Sequence, residues 1–438
     1  MPYVRALCVV FLLEFGLSLF FSRSGFSVIT TDEECSKPLA KLASNPSKNT
    51  ATPLRPQGNE VQEKYFKVID QVANNLQGKE EFNSPMNWRR ITAGMGLPGL
   101  DLPKDVGGSE ISAREMVNIF DYAGRYSLNL RDIAGGGHSR TLIDSTNPEQ
   151  REIMRQVAAG KAYMAIAITE PDHGSDIAGM KSISKKVEGG YRLTGEKKYN
   201  ARLENGTHVV IFTQADSSTP KQVKLNAFVL PLDYPGLEFE KLEAAGLKGN
   251  SFGGVSFDNL FVPEKYRIGN EGQGREIFSK HFTYWRIMQT AAAIGTANRA
   301  LEMTADRLIT RKVYDKPLAA MTHLTQPLGK LTYELKMVMK DLERAAQLYD
   351  EGKIDEADEI ATAAKSWGVE KAHEAAQFAV KTHGAKGYSN ELDLFERMTD
   401  LSGMTIADGA SDVLMSSYVR YIYGKPFWDI PFGKKKKR

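Results

Sequence analysis

The sequence predicts an α+β protein of several domains: an N-terminal helical domain, a middle β-barrel or sandwich domain and a C-terminal four-helix bundle. Three observations lead to this prediction, namely helical periodicity up to residue 159, short β-rich runs in the middle third, and long amphipathic periodicity after Phe282. The chain has 438 residues, of which 42% are hydrophobic and 25% charged. This is the composition of a globular protein with about two to four domains.

Residues 1–58 are predicted to be a leader-like segment followed by a linker. The apolar run from Ala6 to Phe21 is long enough for the core of a signal peptide but short for a membrane span, and Glu14 lies in its middle. No clear cleavage site follows, so a targeting or anchoring segment and a misassigned start are equal alternatives. Residues 36–58 contain four prolines among polar residues, which is typical of a linker.

Two domains are predicted to follow the linker. Residues 59–164 are predicted to be all-helical, because residues such as Met116, Ile119 and Ala123 recur at helical spacing. Residues 165–278 are predicted to form the middle β domain, because short β-rich runs alternate with turn-forming Gly, Asp, Asn and Pro. The β-rich runs are Val209–Phe212, Ala227–Leu230 and Val255–Val262.

Residues 279–426 are predicted to form the C-terminal helix bundle. Two apolar series step by three or four residues, and long amphipathic helices joined by short loops pack into bundles. Residues 427–438 end in Lys434–Arg438 and are predicted to be a solvated basic tail. The two apolar series are Ile294, Ala297, Leu301, Ala305 and Leu308, and Leu328, Leu331, Leu335, Val338, Leu342 and Ala345.

Composition and motif content exclude several classes of function. The only cysteines are Cys8 and Cys35, so the rest of the chain has no thiol nucleophile, zinc ribbon or Cys-bound cluster. The formal net charge is +3 without a basic stripe, which argues against a nucleic-acid binder. No Rossmann glycine motif or P-loop is present, and the seven histidines are scattered without an i,i+4 pair, so no metal site is predicted.

The sharpest local signal is the segment Ile166-Ala-Ile-Thr-Glu-Pro-Asp-His-Gly-Ser-Asp176. A β-like run leads into a turn in which the hydroxyls of Thr169 and Ser175 can donate hydrogen bonds. Gly174 lets backbone N–H groups approach a ligand closely. By itself, however, the pattern is better explained by an ordinary turn.

Together with other motifs in the same order, this segment resembles the acyl-CoA dehydrogenase family, and the resemblance extends from residue 61 to 424. It implies the same layout of helical domain, β domain and helix bundle. Besides Thr169-Glu-Pro171, the matching pieces are Leu97–Gly108, Leu193–Tyr199, Gly246–Ser251, Val255–Pro263, Arg311–Pro317, Gly384–Tyr388 and Ile406–Ser411.

The resemblance implies that FAD is the cofactor. Thr169 is implied to hydrogen-bond the isoalloxazine ring, Ser175 to bind toward the pyrophosphate, and Tyr199 to provide an aromatic wall. Arg311 is implied to reach a pyrophosphate across a subunit interface, since a guanidinium can bind two phosphate oxygens at once. The other implied cofactor-binding residues are Tyr314 near the adenine, Gln326, Gly384 and Gly387.

The resemblance also implies α,β-dehydrogenation of an acyl thioester, in which a carboxylate takes the α-proton and flavin N5 accepts the β-hydride. The family's base is usually the Glu of Glu-Gly-Thr-Ser, and the matching residue is Asp408, which is one methylene shorter. Some members carry the base beside the residue that matches Arg286, but Trp285 stands there and cannot titrate. Asp408 is therefore the predicted catalytic base, and its backbone N–H a predicted oxyanion donor. Without the resemblance, Asp408 would be interpreted as a helix N-cap.

Arg286 and His173 are the predicted substrate-binding residues. Three positions depart from the family around the flavin: Ala201 and Ala410 lack a hydroxyl, and Lys381 stands where Gln is frequent. These departures favour a specialised acyl group, derived from an amino acid or tethered to a carrier protein, over a standard fatty acid.

The expected partners follow from the same resemblance. They are an acyl-CoA or acyl-carrier-protein substrate, an electron-transferring flavoprotein or oxygen as acceptor, and further copies of the chain in a homodimer or homotetramer, with no nucleic acid. The expected location is cytoplasmic or organellar. Two other functions stay open: the same fold acting as an oxidase or monooxygenase, like nitroalkane oxidases or hydroxylases, and a non-catalytic binding protein.

Overall fold

The computed structural model describes residues 52–216, 224–424 and 427. The predicted leader therefore lies outside the described residues except for its last seven positions, and so does the basic tail except for Phe427. Within the described ranges, no helix is long and apolar enough to cross a membrane.

Four α-helices precede the first strand in the described chain. The helices that begin at Glu60 and Ala113 start with capping boxes, in which Asn59 and Ser112 accept hydrogen bonds from the backbone three residues later. The helices are α1 Glu60–Leu76, α2 Pro85–Thr92, α3 Ala113–Tyr126 and α4 Pro148–Ala158.

One mixed sheet of eight strands forms the middle of the described chain, in the order β6-β7-β3-β2-β4-β5-β8 with β1 parallel to β4. The three β-rich runs of the sequence lie in β4, β5 and β7. The strands are β1 Met164–Ala167, β2 Ile183–Val187, β3 Gly190–Ala201, β4 His208–Ala215, β5 Leu225–Pro231, β6 Glu238–Leu242, β7 Phe252–Pro263 and β8 Arg267–Ile268. A separate small hairpin pairs β9 Lys312–Val313 with β10 Lys316–Pro317.

Helices return after the sheet and pack around one apolar core shared with α1 and α3. Both predicted apolar series lie on the first two long helices. The helices are α5 Gly274–Thr310, α6 Thr322–Asp350, α7 Ile354–His383, α8 Ala385–Tyr388, α9 Leu394–Met404 and α10 Ser411–Tyr423.

Helices α3 and α5 approach each other closely through two glycines. A Cβ on Gly124 would lie 2.0 Å from the Ala292 carbonyl oxygen, and one on Gly295 would lie 1.9 Å from that of Asp121. Only glycine tolerates such a distance. This contact joins the N-terminal helices to the C-terminal bundle. The order of helical part, sheet and helix bundle confirms the predicted fold class.

Candidate active site

A buried ion pair holds the turn after β1 against the sheet. Lys197 Nζ lies 2.9 Å from Glu170 Oε1, and both side chains are buried. Burial alone would raise the pKa of Glu170, but hydrogen bonds from the Lys181 N–H, from Lys197 and from Ser182 outweigh it and lower this pKa to about 2. Glu170 is therefore an ionised anchor of the turn that carries Thr169 and Ser175.

Tyr199 lies beside this turn because the Lys198 N–H donates to the Thr169 carbonyl at 2.8 Å. The pairing of β3 with β7 shifts between Lys197 and Asn200, and the bulge turns Tyr199 outward with φ +63° and 53% of its surface exposed. In the part of the chain that the structure describes, the hydroxyls of Thr169 and Ser175 have no hydrogen-bond partner. An exposed aromatic ring and two unpartnered hydroxyls therefore lie at one edge of the sheet.

His173 belongs to the same turn. Its backbone exchanges hydrogen bonds with that of Glu170, at 3.0 and 3.2 Å. Its imidazole is half-buried, with Nδ1 3.9 Å from Asp176 Oδ2. The turn therefore brings His173 near the two predicted flavin contacts, Thr169 and Ser175.

The end of β3 carries a buried arginine that joins the sheet to both helical parts. Arg202 Nη2 lies 2.5 Å from Asp132 Oδ2, and Arg202 Nε donates to the Tyr163 hydroxyl at 2.6 Å. The guanidinium also lies 5.3 Å from the Trp285 ring centroid, within cation–π range. Trp285 itself is 2% exposed. Trp285, the residue beside Arg286, is therefore buried in the core and also has no titratable group.

Asp408 lies in the loop between α9 and α10, with φ +59°. Its side chain is half-buried, and its carboxylate makes no hydrogen bond or ion pair with any described residue. Its backbone N–H also has no hydrogen-bond partner among the described residues, whereas its backbone carbonyl accepts a hydrogen bond from Arg286 Nε at 3.3 Å. Helix α10 begins at Ser411, follows Ala410 and has no side-chain cap. The N-cap interpretation of Asp408 is therefore wrong.

Two other carboxylates of this neighbourhood, Asp132 and Asp358, are already engaged. Burial would raise the pKa of Asp132, but Arg202, Arg131 and Arg89 outweigh it and hold this pKa below its ordinary value. Asp358 on α7 accepts from Arg286 Nη1 at 3.0 Å, from the Thr283 hydroxyl at 2.8 Å and from the Tyr421 hydroxyl at 2.6 Å. Of these three carboxylates, only Asp408 makes no hydrogen bond or ion pair with a described residue.

The remaining predicted cofactor residues form a second group, at the ends of the long helices. Arg311 follows α5, is exposed and forms no ion pair within the described chain, and Tyr314 is 91% exposed with φ +51°. Gln326 lies exposed near the start of α6, and Gly384 and Gly387 lie at the junction of α7 and α8. No hydrogen bond among the described residues joins this group to Thr169, Ser175, Tyr199 or Asp408.

Positive φ angles are concentrated at the predicted site. Eight non-glycine residues of the described chain have positive φ, and four of them are Tyr199, Arg202, Tyr314 and Asp408. Such conformations cost about 1–3 kcal/mol each and persist where the surroundings impose them, often at functional sites. Three of these four, Tyr199, Tyr314 and Asp408, are residues that the sequence predicts for the site.

Two of the histidines meet in the core. His138 Nδ1 lies 2.9 Å from His281 Nε2, and both rings pack against Trp285. Burial lowers the pKa of His281 to about 3 and that of His138 well below its ordinary value, so both are neutral at physiological pH. No set of three metal-ligating side chains is found in the described ranges. The pair therefore contributes to packing.

Three residues of the site were not singled out from the sequence. Neither Arg202 nor Asp358 lies in one of the matching motifs. Lys365 had a usable signal: it is a charged residue on the small-residue face of α7, among Ala361, Ala364 and Gly368. Its Nζ donates to the Gly409 carbonyl, next to Asp408.

Comparisons with known proteins identify the family of the chain. Residues 165–260 match the model of the acyl-CoA dehydrogenase middle domain, and residues 272–422 that of the acyl-CoA dehydrogenase C-terminal domain. A mitochondrial isovaleryl-CoA dehydrogenase of Oryza sativa subsp. japonica is 23% identical over 344 residues, which cover 77% of this chain and 83% of the relative.

Two further similarities concern carrier-protein and FAD-bound proteins. An L-prolyl-[peptidyl-carrier protein] dehydrogenase of Pseudomonas fluorescens is 27% identical over 329 residues, covering 73% of this chain and 85% of the relative. The structure of the FAD complex of PigA superposes with a TM-score of 0.76 at 22% identity, covering 84% of this chain and 99% of that chain. The two matching models together span more than half of the chain, which therefore belongs to the acyl-CoA dehydrogenase family of FAD-dependent oxidoreductases.

Proposed function

We propose that this protein removes the α-proton and the β-hydride of an acyl thioester, with Asp408 as the catalytic base. The observation that carries the proposal is the free carboxylate of Asp408, half-buried in a left-handed turn, while Asp132 and Asp358 beside it are engaged. A general base must be able to approach the substrate proton to hydrogen-bond distance. Among these three carboxylates, Asp408 meets that requirement.

The described residues fit FAD at two separate places. At the sheet edge, the exposed ring of Tyr199 and the unpartnered hydroxyls of Thr169 and Ser175 suit a flat ring with polar edges. At the helix ends, Arg311 offers an exposed guanidinium without an ion pair, which suits a pyrophosphate. Bound FAD supplies the hydride acceptor.

Asp408 and Arg286 then have different roles toward the substrate. Asp408 accepts the α-proton, and its unpartnered backbone N–H donates to the thioester oxygen as negative charge develops there. Arg286 holds the Asp408 carbonyl and is itself oriented by Asp358. These contacts orient the base before the substrate arrives, which is where much of a general base's effect originates.

A polar acyl group, derived from an amino acid or bound to a carrier protein, is the substrate class that we infer. It is supported by the departures from the family at Ala201, Ala410 and Lys381, which lie around the predicted flavin position. The similarity to a prolyl-carrier-protein dehydrogenase supports the same class.

A homodimer or homotetramer is the assembly that we infer. The two groups of cofactor residues are not joined by contacts within one chain, and Arg311 is the residue implied to reach across a subunit interface. Exposed Tyr333 and Met337 on α6 and Trp367 on α7 support such an interface, since large apolar side chains on adjacent long helices favour burial.

The test is the visible spectrum of the purified full-length protein before and after anaerobic addition of thioesters. The panel contains short acyl-CoA esters, amino-acyl-CoA esters and the same groups on a carrier protein. Bleaching of the yellow protein by one of them supports dehydrogenation, and the identity of that thioester defines the substrate class. The extent of reoxidation by air or by an electron-transferring flavoprotein then identifies the acceptor.

Two outcomes would contradict the proposal. A yellow protein that no thioester bleaches, yet consumes oxygen with a nitroalkane or another substrate, would be an oxidase or monooxygenase of this fold. A correctly folded but colourless protein that does not take up added FAD would be a non-catalytic binding protein.

A further inference from the structure

We propose that Lys365 is a positioning residue for catalysis: its ammonium group holds the turn that carries Asp408 and provides a positive charge facing the Asp408 carboxylate. The inference rests on the proposed role of Asp408 as the base. It concerns a residue on a different helix, which no motif of the site includes.

Lys365 is fully buried in α7. Its neighbours on the same face, Ala361, Ala364 and Gly368, are small and offer no partner for a charge. A buried lysine requires a specific hydrogen-bond acceptor or a counter-charge, because desolvation of an ammonium group is strongly unfavourable. The Lys365 Nζ has both: the Gly409 carbonyl at 2.5 Å and the nearby charge of Asp408.

Two cations from two helices hold consecutive carbonyls of the turn. Arg286 Nε on α5 donates to the Asp408 carbonyl at 3.3 Å, and Lys365 Nζ on α7 donates to the Gly409 carbonyl. Both residues of the turn have positive φ, +59° for Asp408 and +104° for Gly409. A non-glycine residue adopts this conformation only where its surroundings impose it, and these two donors are the surroundings that do so.

The next residue of α7 extends the same contact. The Ser366 hydroxyl donates to the Ser411 carbonyl at 2.7 Å, at the start of α10. Helix α7 therefore binds the loop on both sides of Ala410. These contacts hold the residues on both sides of Ala410, which occupies the N-cap position of α10 in place of Asp408.

The charged groups that face Lys365 are Asp408 from the loop, Arg286 from α5 and Glu370 from its own helix. Burial lowers the pKa of Lys365 to about 8, opposed by the charge of Asp408 and assisted by that of Arg286. Lys365 therefore carries its proton below about pH 8 and loses it above. If the ammonium positions the base, the chemical step slows as the pH rises through this value.

The experiment measures the rate constant of anaerobic flavin reduction by a saturating bleaching thioester between pH 6 and pH 10. It compares the wild type with Lys365→Met, Lys365→Arg and Lys371→Met, all FAD-loaded. Lys371 lies on the same helix and is half-buried, but its ammonium pairs with Glu374 at 2.6 Å, so its variant is the matched control.

Four results are expected. The wild-type rate falls above about pH 8, and Lys371→Met behaves in the same way. Lys365→Met is about 10- to 100-fold slower at pH 7, as misplacement of a catalytic group predicts, and shows no fall at pH 8. Lys365→Arg recovers part of the rate and also lacks the fall, because arginine does not lose its proton in this range.

A wild-type rate and an unchanged alkaline fall in Lys365→Met would overturn the inference. If Lys365→Met does not fold, Lys365→Arg provides the test. A flavin-reduction rate that still falls near pH 8 in Lys365→Arg would also overturn the inference. Asp408→Asn in parallel separates the two proposals. If Asp408→Asn is inactive and Lys365→Met is normal, only the role of Lys365 is wrong, whereas an active Asp408→Asn removes the base and its positioning residue together.

Discussion

Arg202 and Asp132 form an ion pair in which Nη2 lies 2.5 Å from Oδ2, and the side chains are 3% and 1% exposed. Asp132 belongs to the N-terminal helical part, Arg202 to the end of β3, and the Trp285 ring that covers Arg202 belongs to α5. One buried charge pair therefore joins the three parts of the fold. It does so a few residues from Tyr199 and next to the helix that carries Arg286.

Asp132→Asn is expected to lower the free energy of unfolding by about 3–5 kcal/mol, because it leaves the buried charge of Arg202 uncompensated. Urea unfolding of the FAD-loaded protein measures this. The control Asp144→Asn, which removes an exposed ion pair with Lys280, should change stability by less than about 1 kcal/mol. Asp132→Leu combined with Arg202→Met should recover much of the loss, and equal losses in the single and double variants would contradict this account.

Asp408→Asn is expected to retain FAD but to lose most of its reduction by substrate, by about 10²–10⁴-fold. The amide keeps the shape of the side chain and cannot accept the α-proton. Stopped-flow flavin reduction measures the effect, with Asp412→Asn as the control because Asp412 is exposed two residues beyond Ala410. A wild-type rate in Asp408→Asn would remove this residue from the mechanism.

Arg311→Ala is expected to weaken FAD retention and assembly together, since the guanidinium is proposed to bind a pyrophosphate across the subunit interface. The ratio of flavin to protein absorbance after gel filtration, and the mass from light scattering, measure the two effects. Lys312→Ala, an exposed neighbour, is the matched control. Normal flavin content and mass in Arg311→Ala would show that this contact does not exist.

Lys197→Met is expected to lower the melting temperature and the FAD content, because it leaves the ionised Glu170 buried without its partner and frees the turn that carries Thr169. Differential scanning fluorimetry and flavin absorbance measure the two effects. Lys198→Met removes only the more exposed pair with Glu240 and should stay close to wild type in melting temperature. An intact FAD content in Lys197→Met would show that the turn does not contribute to the cofactor site.

Asp400 is expected to make the protein less stable as the pH rises from about 4 to about 6. Burial raises the pKa of Asp400 to about 6, against a hydrogen bond from the Leu247 N–H. Because the folded-state pKa exceeds the unfolded one, its contribution is present below about pH 4 and is lost as the pH passes 6, by about 2–3 kcal/mol.

Asp400→Asn tests this pH dependence because the amide oxygen can still accept from Leu247 and does not titrate. Its stability relative to the wild type should therefore increase over the same pH interval in urea unfolding. A difference that stays constant with pH would mean that Asp400 titrates alike in the folded and unfolded protein.

The elements that sequence reasoning located correctly are those whose signal is local. The helical spacing of Ile294, Leu301 and Leu308 lies within α5, and the run Val209–Phe212 lies within β4. The start of α3 does not follow from the spacing of Met116, Ile119 and Ala123, because only the Ser112 cap fixes where the helix begins. Periodicity shows which face is buried, whereas boundaries depend on individual hydrogen bonds.

The residues of the candidate site also fall into two groups: those that a local motif predicts and those that only tertiary contacts identify. Thr169, Ser175 and Tyr199 were predicted because they lie in motifs, and the turn and the β3 bulge bring them to one edge of the sheet. Lys365 and Asp358 lie in a helix without a motif, and their role follows from what they contact: Gly409 next to Asp408, and Arg286. Such contacts join residues more than 40 positions apart, which no short pattern records.

The sequence by itself determined the family, the order of helical part, sheet and bundle, and the candidate base Asp408, because each follows from residue types in short, ordered patterns. Only the tertiary structure decided that the Asp408 carboxylate is free while those of Asp132 and Asp358 are occupied, and that Arg286 and Lys365 hold its turn. The physical reason is that a charge is compensated by whatever lies next to it in space, and packing of distant segments sets those neighbours.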